Sequence, residues 1–400
     1  MTQKSNKLFS KPTTTMFVNT LTAKTDSQLP PASFWGPPMI SALVLGLAGW
    51  GDALLYPTLP LNAAQLGVSL AWVGVLLSIN KFIRLGGNYA VALAINRLGY
   101  KPMVILGAVL ATLTTLSYGL ALPIWVWLIA RAGWGMAFAA LQICVLGYAT
   151  EEKKMGVHLG VSKAIHASGP MLALILGPLL VAWTNVRITF ILFGLITAFA
   201  IPLAFKLPYE SYQMDQTMSG KFPKPRWLDG LIFATALVDG ILIVTLGILL
   251  LNQGLAEAAV LSMTALILAT KRLGSLMMGP LSGWLADRWK LPHVFLLSIG
   301  GLVIGLFLIS TGITVLGAII VFTGNAVHLA LSPGVVVSAK RAEKLIALSA
   351  MATWRDLGTA CGALAGGLLL MQSKSAIIYL GLATLVLVMT LMTYRNNIKP

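Results

Sequence analysis

The sequence predicts an all-α integral membrane protein with twelve transmembrane helices in two pseudo-symmetric six-helix bundles. Hydrophobic residues make up 57% of the 400 residues and charged residues only 10%, whereas a soluble domain carries about 25% charged residues. Twelve apolar stretches are each long enough, at about 20 residues, to cross a bilayer as a helix. The second half of the chain repeats features of the first half, which predicts two bundles built on one plan.

The predicted spans are separated by short polar loops, and one longer polar segment divides them into two groups of six. The spans lie near residues 39–62, 71–94, 102–122, 124–148, 157–183, 187–206, 228–251, 257–284, 293–313, 314–338, 345–371 and 374–394. The predicted organisation is a disordered cytoplasmic tail (1–35), a first bundle (36–206), a cytoplasmic linker (207–227), a second bundle (228–394) and a cytoplasmic C-terminal tail (395–400).

Lys and Arg residues outside the spans are distributed unequally between the two sides of the membrane. If the N-terminus is cytoplasmic, nineteen of them fall on that side, whereas only Arg187 and Lys374 fall on the other. The positive-inside rule then places both termini in the cytoplasm, and we expect a multi-pass protein of the bacterial inner membrane. The net charge of +16 follows mainly from this topology, and its scatter over short loops does not indicate nucleic-acid binding.

Charged residues within the spans are the feature that points to a function. The third, sixth, ninth and twelfth spans contain no Asp, Glu, Lys or Arg between their ends, so we expect them to face lipid. A cation in hydrocarbon costs about 2.5–3.5 kcal/mol on insertion scales. The other spans nevertheless hold seven cations and three acids: Lys81, Arg84, Arg131, Lys163, Lys271, Arg272, Arg355, Asp52, Asp239 and Asp356. This surplus predicts a water-filled cavity that attracts an anion.

The repeat places polar residues at matching positions of the two halves. The segment 92–101 ends the second span, and the similar segment 283–290 ends the eighth. In this alignment Lys81 corresponds to Arg272. Parallel repeats of this kind place a substrate site near the middle of the membrane, between the halves.

The segment Gly283-x-Leu285-Ala286-Asp287-Arg288 resembles the loop motif of the major facilitator superfamily of secondary transporters, and the resemblance covers the chain after about residue 36. It implies alternating access around a central site, with a gating motif at Asn96, Arg97, Asp287 and Arg288. The N-terminal copy departs from the family pattern because Ala92 replaces Gly and Asn96 replaces Asp. Arg131 and Gly135 are similar to an Arg-x-x-x-Gly element that the family uses in proton coupling.

Candidate substrate contacts follow from helix geometry, and each has a structural alternative. Lys81 and Arg84 share one helix face, but Arg84 could instead pair with Asp52. Adjacent Lys271 and Arg272 point about 100° apart, which favours Arg272 for the cavity and leaves Lys271 to pair with Asp239 or to reach the interface. The predicted substrate-binding residues are Lys81, Arg84, Arg131, Arg272, His328 and Arg355.

The predicted proton-coupling residues are Asp52, Asp239, Asp356 and His166. An aspartate beside a cation stays ionised, and it can take up a proton when a substrate draws the cation away. Permanent salt bridges are the alternative for the acids, and interhelical hydrogen bonds are the alternative for His166 and His328. Lys163 lies near the end of the fifth span, where snorkelling explains it. Five aromatic residues could form cavity walls: Trp50, Tyr56, Trp134, Tyr148 and Trp354.

These features favour a secondary active transporter that moves a small organic anion by alternating access. The acids that accompany the interior cations favour coupling to protons. A polycarboxylate, including a carboxylate-type siderophore, fits the charge. The alternatives are a broad-specificity drug/proton antiporter and a non-transporting sensor. Enzyme motifs, a phosphate-binding loop, metal-ligand spacing and a need for a cofactor are not evident. The expected partners are an anionic solute, a proton and the bilayer, and we expect a monomer.

Overall fold

The computed structural model describes residues 36–120, 122–209, 224–255, 257–339, 344–369 and 375–397, and within these ranges all regular structure is helical. Fourteen helical segments form twelve spans, because α1 and α2 make the first span and α7 and α8 make the sixth. The segments are α1 (Pro37–Ala48), α2 (Trp50–Asn62), α3 (Leu70–Leu98), α4 (Tyr100–Tyr118), α5 (Ile124–Ala149), α6 (Met155–Trp183), α7 (Val186–Ala198), α8 (Ala200–Phe205), α9 (Trp227–Leu251), α10 (Glu257–Trp289), α11 (Leu291–Ser310), α12 (Thr314–Ala339), α13 (Lys344–Leu369) and α14 (Ser375–Asn397). The predicted tail 1–35, most of the linker 207–227 and the last residues of the tail 395–400 lie outside the described residues.

Three of the spans differ from the others in polarity. Nine helical stretches within the described residues are long and apolar enough to cross a membrane by composition alone. The long helices α3, α10 and α13 are not among them. These helices carry Lys81 and Arg84, Lys271 and Arg272, and Arg355 with Asp356. Charged residues in a membrane helix are tolerated where they face other helices or a water-filled cavity.

Each half of the molecule has its own apolar core. In the first half, Val104 and Leu141 belong to a cluster formed mainly by α1, α4 and α5. In the second half, Leu231, Phe295 and Tyr379 belong to a cluster shared by α9, α11 and α14. The predicted fold of two six-helix bundles is therefore the fold that the structure shows.

The four spans without internal charges present apolar side chains outward. Leu113 of α4, Leu195 of α7, Leu297 of α11 and Leu391 of α14 are all at least half exposed. Exposed large apolar side chains on one face of a helix are favourable only against lipid. The exposure pattern accordingly places these helices at the periphery of the bundle.

Glycines bring particular helices into backbone contact and so fix the positions of neighbouring acids. A Cβ at Gly240 of α9 would lie 2.7 Å from the carbonyl oxygen of Thr359 on α13. A Cβ at Gly358 of α13 would likewise overlap the backbone of Phe233. Small residues allow this close approach between membrane helices. Asp239 precedes Gly240, and Asp356 lies two residues before Gly358, so the tight contact sets where both carboxylates lie.

The two halves meet tightly at one end of the bundle, where α5 ends, α6 begins, α10 ends and α13 begins. We call this the closed end. Gly156 and Gly160 of α6 face Gly283 and Gly279 of α10, and a Cβ at any of the four would lie closer than 3.0 Å to the facing backbone. The spacing is Gly-x-x-x-Gly on both helices, which is the pattern that allows helix backbones to cross in contact.

Two charged side chains add polar contacts between the halves at the closed end. Asp287 accepts hydrogen bonds of 2.9 Å from the backbone amides of Gly156 and Val157, in the first turn of α6. Lys344 donates bonds of 2.6 Å to the carbonyl oxygen of Gly147, in the last turn of α5, and to the carboxylate of Glu151. An acid at a helix N-terminus and a cation at a C-terminus each match the helix dipole.

Candidate functional site

A cavity of about 550 Å³ lies near the middle of the bundle, on the side away from the closed end. Its wall is formed mainly by α2, α5 and α6 of the first half, with Arg272 of α10 from the second half. The lining residues include Asp52, Tyr56, Trp134, Phe138, His166, Pro170, Leu174 and Arg272. A recess of about 160 Å³ continues between α6 and α10, beside Lys163 and Ser275. The two helices therefore touch at the closed end and separate beyond it.

Asp52 and Arg131 form a buried ion pair at the cavity wall. Arg131 Nη1 lies 2.6 Å from Asp52 Oδ1, and the Arg131 side chain is fully buried, whereas 21% of Asp52 is exposed. Arg131 also donates from Nε to the carbonyl oxygen of Leu76 at 2.7 Å and from Nη1 to the Tyr118 hydroxyl at 3.3 Å. These contacts hold Arg131 away from any solute in this conformation. They favour the pairing alternative over direct substrate contact.

Asp239 and Lys271 form a second ion pair, in the other half. Lys271 Nζ lies 2.7 and 2.8 Å from the two oxygens of Asp239. The ammonium group also lies 4.9 Å from the centre of the Phe322 ring, at cation–π distance. The pairing that the sequence left open for Lys271 is thus present. Adjacent Arg272 points to the cavity instead.

A third acid, Asp356 of α13, joins the two halves near the centre. Its Oδ2 lies 3.2 Å from Arg84 Nε on α3, and its Oδ1 lies 3.4 Å from Nη2 of adjacent Arg355. The Arg84 guanidinium stacks on Phe138, with 4.6 Å between its central carbon and the ring centre. Arg84 therefore takes Asp356 rather than Asp52 as its partner, and it lies directly behind a residue of the cavity wall.

Three cations in the interior have no acid within 4 Å among the described residues: Lys81, Lys163 and Arg272. The Lys81 ammonium lies 5.8 Å from the centre of the Tyr56 ring, which itself lines the cavity. Arg272 is exposed and lines both the cavity and the recess. All three intramembrane acids are already paired, so the positive charge of this region is not balanced by protein carboxylates.

The two predicted histidines differ in position. His166 lines the cavity and the recess, and its ring lies 6.2 Å from that of Phe138. His328 is fully buried, with Nε2 3.1 Å from the Thr235 hydroxyl and its ring packed on Phe295. This position favours the interhelical tie over a ligand contact for His328. Within the described residues, no cluster of His, Cys, Asp or Glu could hold a metal ion.

The predicted gating residues divide between the halves. Asp287 makes the contact with α6 at the closed end, and Arg288 stacks on Trp284 with 5.6 Å between guanidinium carbon and ring centre. Asn96 is buried at the end of α3, and neighbouring Arg97 is exposed. The second copy, which retains the acidic residue, thus contacts the first half through Asp287.

Comparison with known proteins agrees with this architecture. The family model described as Major Facilitator Superfamily matches residues 41–226. Over these residues the chain is similar to the Major Facilitator Superfamily. This similarity covers the first half of the sequence, and the fold extends the likeness over both halves. No curated protein matches the sequence significantly.

Solved structures of transporters share the fold at low sequence identity. The E. coli fucose:proton symporter has a TM-score of 0.74 and 12% identity over 91% of this chain and 99% of its own. A proton:xylose symporter has a TM-score of 0.71 and 14% identity over 90% of this chain and 95% of its own. A human organic anion transporter has a TM-score of 0.70 and 14% identity over 89% of this chain and 98% of its own.

One interior residue, Lys163, was left out of the site in the sequence analysis. Lys163 was explained by snorkelling, yet the structure places it between the halves, beside the recess. Among the five candidate aromatic residues, Tyr56 and Trp134 line the cavity. Trp50, by contrast, packs on Phe193 with 5.0 Å between ring centres. The available signal was the three-residue spacing of Lys163 from the wall residue His166, which places both on one helix face.

Proposed function

We propose that this transporter moves a small organic anion across the bacterial inner membrane by alternating access, coupled to protons. The observation that carries the proposal is the charge balance of the interior. Asp52, Asp239 and Asp356 each have a cation partner, whereas Lys81 and Arg272 have none among the described residues. An unpaired cation at low dielectric is stabilised by an anionic ligand.

The cavity suits an organic solute with several carboxylates. Its volume of about 550 Å³ lies within the range of about 300–1,000 Å³ for small-molecule sites. Arg272 offers a planar guanidinium that can bind a carboxylate through two hydrogen bonds. Tyr56, Trp134 and Phe138 provide an apolar wall for the carbon skeleton. A polycarboxylate is the proposed class, and a carboxylate-type siderophore is the larger member that this volume accommodates.

Lys81 and Arg84 extend the proposed site behind its aromatic wall. Lys81 lies over the Tyr56 ring, and Arg84 lies over the Phe138 ring. Movement of either ring away from the cavity wall would therefore expose a cation to the cavity. Arg84 is held by Asp356 in this conformation. An anionic solute could compete with Asp356 for Arg84, which would link substrate binding to the contact between the halves.

Proton coupling is assigned in this proposal to Asp52. Its carboxylate is partly exposed to the cavity, whereas its partner Arg131 is anchored by Leu76 and Tyr118. A proton that reaches the cavity can therefore reach Asp52 without a large movement of Arg131. The solved relatives include two proton symporters, which supports coupling to protons in this fold. Asp239, Asp356 and His166 are the further candidates.

The proposal also assigns the orientation of the protein in the membrane and the side to which the cavity opens. The positive-inside bias places both termini and the closed end in the cytoplasm. The cavity would then open away from the cytoplasm, as in an outward-facing state. Inward opening would require the glycine contacts of α6 and α10 and the Asp287 contact to separate.

Neighbouring Lys271 and Arg272 provide a matched pair for a test, because the same Lys/Arg→Gln change has different consequences at each. Purified protein in proteoliposomes would be assayed with citrate, a citrate-based siderophore, glucose and a cationic dye. We expect Arg272→Gln to weaken binding of the anionic ligand by about tenfold or more without loss of thermal stability. Lys271→Gln should lower stability, because it leaves Asp239 unpaired.

Two outcomes would overturn the proposal. Unchanged anion affinity in Arg272→Gln would remove the assigned role of the unpaired guanidinium. Transport of the cationic dye without transport of either anion would instead identify the drug/proton antiporter.

A further inference from the structure

A narrow cavity lies between the halves, on the closed-end side of His166. Its volume is about 30 Å³, which is enough for one or two water molecules and too small for an organic substrate. It shares His166 with the substrate cavity, and His166 and Lys163 with the recess, but its other lining residues are different. The polar lining residues are Gln142, Ser162, Lys163, His166, Ser332 and Arg355.

The lining carries positive charge with little compensation. Lys163 has no acid within 4 Å in the described part of the chain, and Arg355 has only the 3.4 Å contact with Asp356. That carboxylate is already shared with Arg84 at 3.2 Å. Two cations beside a narrow cavity in the membrane interior are costly unless an anion balances them.

The other polar lining groups differ in their free hydrogen-bonding capacity. Ser332 donates its hydroxyl hydrogen to the carbonyl oxygen of His328 at 2.6 Å, so it has no hydrogen left to donate to the cavity. Gln142 and Lys163 make no side-chain hydrogen bond within the described residues, and both line the cavity. An amide, an ammonium and a guanidinium therefore line the same small space.

We propose that this cavity binds a chloride ion, held between Lys163 of the first half and Arg355 of the second, with Gln142 as a further donor. Size excludes citrate and other organic anions, and the surplus of donors over acceptors favours an anion over water. The site is distinct from the substrate site and does not depend on the substrate being an anion.

Chloride binding has a conformational consequence, because its ligands come from both halves. Gln142 and Lys163 belong to α5 and α6, whereas Arg355 belongs to α13. The donors lie together in this conformation, in which the closed end is shut. A ligand that binds one conformation more tightly increases its population, so chloride should stabilise the closed-end contact.

The test measures the thermal stability of the purified protein in chloride, bromide or gluconate at equal ionic strength. Gluconate is too large for the narrow cavity and serves as the reference anion, and the comparison is repeated in Arg272→Gln, in which gluconate should no longer bind in the substrate cavity. We expect the melting temperature to rise saturably with either halide. Lys163→Gln should weaken the apparent halide affinity by about tenfold or more, whereas Arg272→Gln, in the substrate cavity, should retain the halide effect.

A second variant and a direct observation keep the test decisive. Gln142→Leu removes one donor without changing the charge, and it should also weaken halide binding. It carries the test if Lys163→Gln does not fold. Bromide should give an anomalous scattering peak between Lys163 and Arg355. Equal stability in chloride and gluconate, halide effects that persist in both variants, or a bromide peak elsewhere would each overturn the proposal and leave the cavity to water.

Discussion

Arg84 of α3 and Asp356 of α13 form an ion pair across the interface between the two halves, with 3.2 Å between Nε and Oδ2. Only 12% of the Arg84 side chain and 8% of the Asp356 side chain are exposed. A neighbouring hydrogen bond of 3.4 Å joins Asn88 to Thr353 across the same helix pair. The centre of the molecule is thus held by a contact that any separation of α3 from α13 would break.

Removal of one member of this pair should cost more than removal of both. Arg84→Gln or Asp356→Asn alone leaves a buried charge without its partner, which costs about 3–5 kcal/mol. The double variant should lose less than the sum of the two single losses. A double-mutant cycle on thermal unfolding in detergent measures the coupling. Strictly additive effects would show that the two groups do not interact.

The contact of Asp287 with the first turn of α6 should stabilise the closed end. Asp287→Asn removes the charge and one acceptor from the amides of Gly156 and Val157, and a helix N-terminal cap of this kind contributes about 0.5–2 kcal/mol. We expect spin labels at Lys153 and Lys290 to show longer distances in this variant. Arg288→Gln is the control, and an equal shift in the control would contradict a specific role for the carboxylate.

The glycine contact between α6 and α10 should be intolerant of a single methyl group. Gly160→Ala would place a Cβ against the backbone of Gly279, whereas Gly274→Ala on α10 would meet nothing within 4 Å. We expect the first change to lower thermal stability and to open the closed end. The second should be neutral or stabilising by up to about 1 kcal/mol, because Ala favours helix over Gly. Equal behaviour of the two variants would argue against the close contact.

Asp52 and Asp239 offer a direct comparison of the two candidate coupling acids. Asp52→Asn should abolish proton-driven accumulation yet preserve exchange of labelled for unlabelled solute, because exchange needs no net proton movement. Its transport rate should also lose its dependence on pH. Asp239→Asn should retain coupled transport but lose stability, since Lys271 would have no partner. A reversal of these two results would move the coupling role to the second half.

Sequence patterns predicted which residues share a helix face but not which residues pair between helices. Adjacent Lys271 and Arg272 were expected to diverge, and one pairs with Asp239 while the other lines the cavity. The partner of Arg84 was not predictable in the same way: Asp52 was considered, and Asp356 is its partner. Helical periodicity fixes directions within a segment, whereas distances between segments depend on packing.

Lys163 shows that the neighbours of a buried residue also depend on packing between helices. Its distance from the end of the fifth span made snorkelling a sufficient explanation, because sequence position gives depth along the helix and not the identity of its neighbours. The structure turns it toward Arg355 and Gln142 of two other helices. The interior position of Lys163 therefore depends on the close crossing of α6 and α10 at Gly156 and Gly160.

The sequence alone determined the membrane fold, the number of spans, the lipid-facing helices and the surplus of interior cations, since each follows from local composition and period. The tertiary structure decided which cations are neutralised: Arg131, Lys271 and Arg84 by acids, and Lys81, Lys163 and Arg272 by none within the described ranges. The physical reason is that an ion pair depends on distances of a few ångströms between different helices, and those distances are set by glycine contacts and packing that involve residues far apart in the chain.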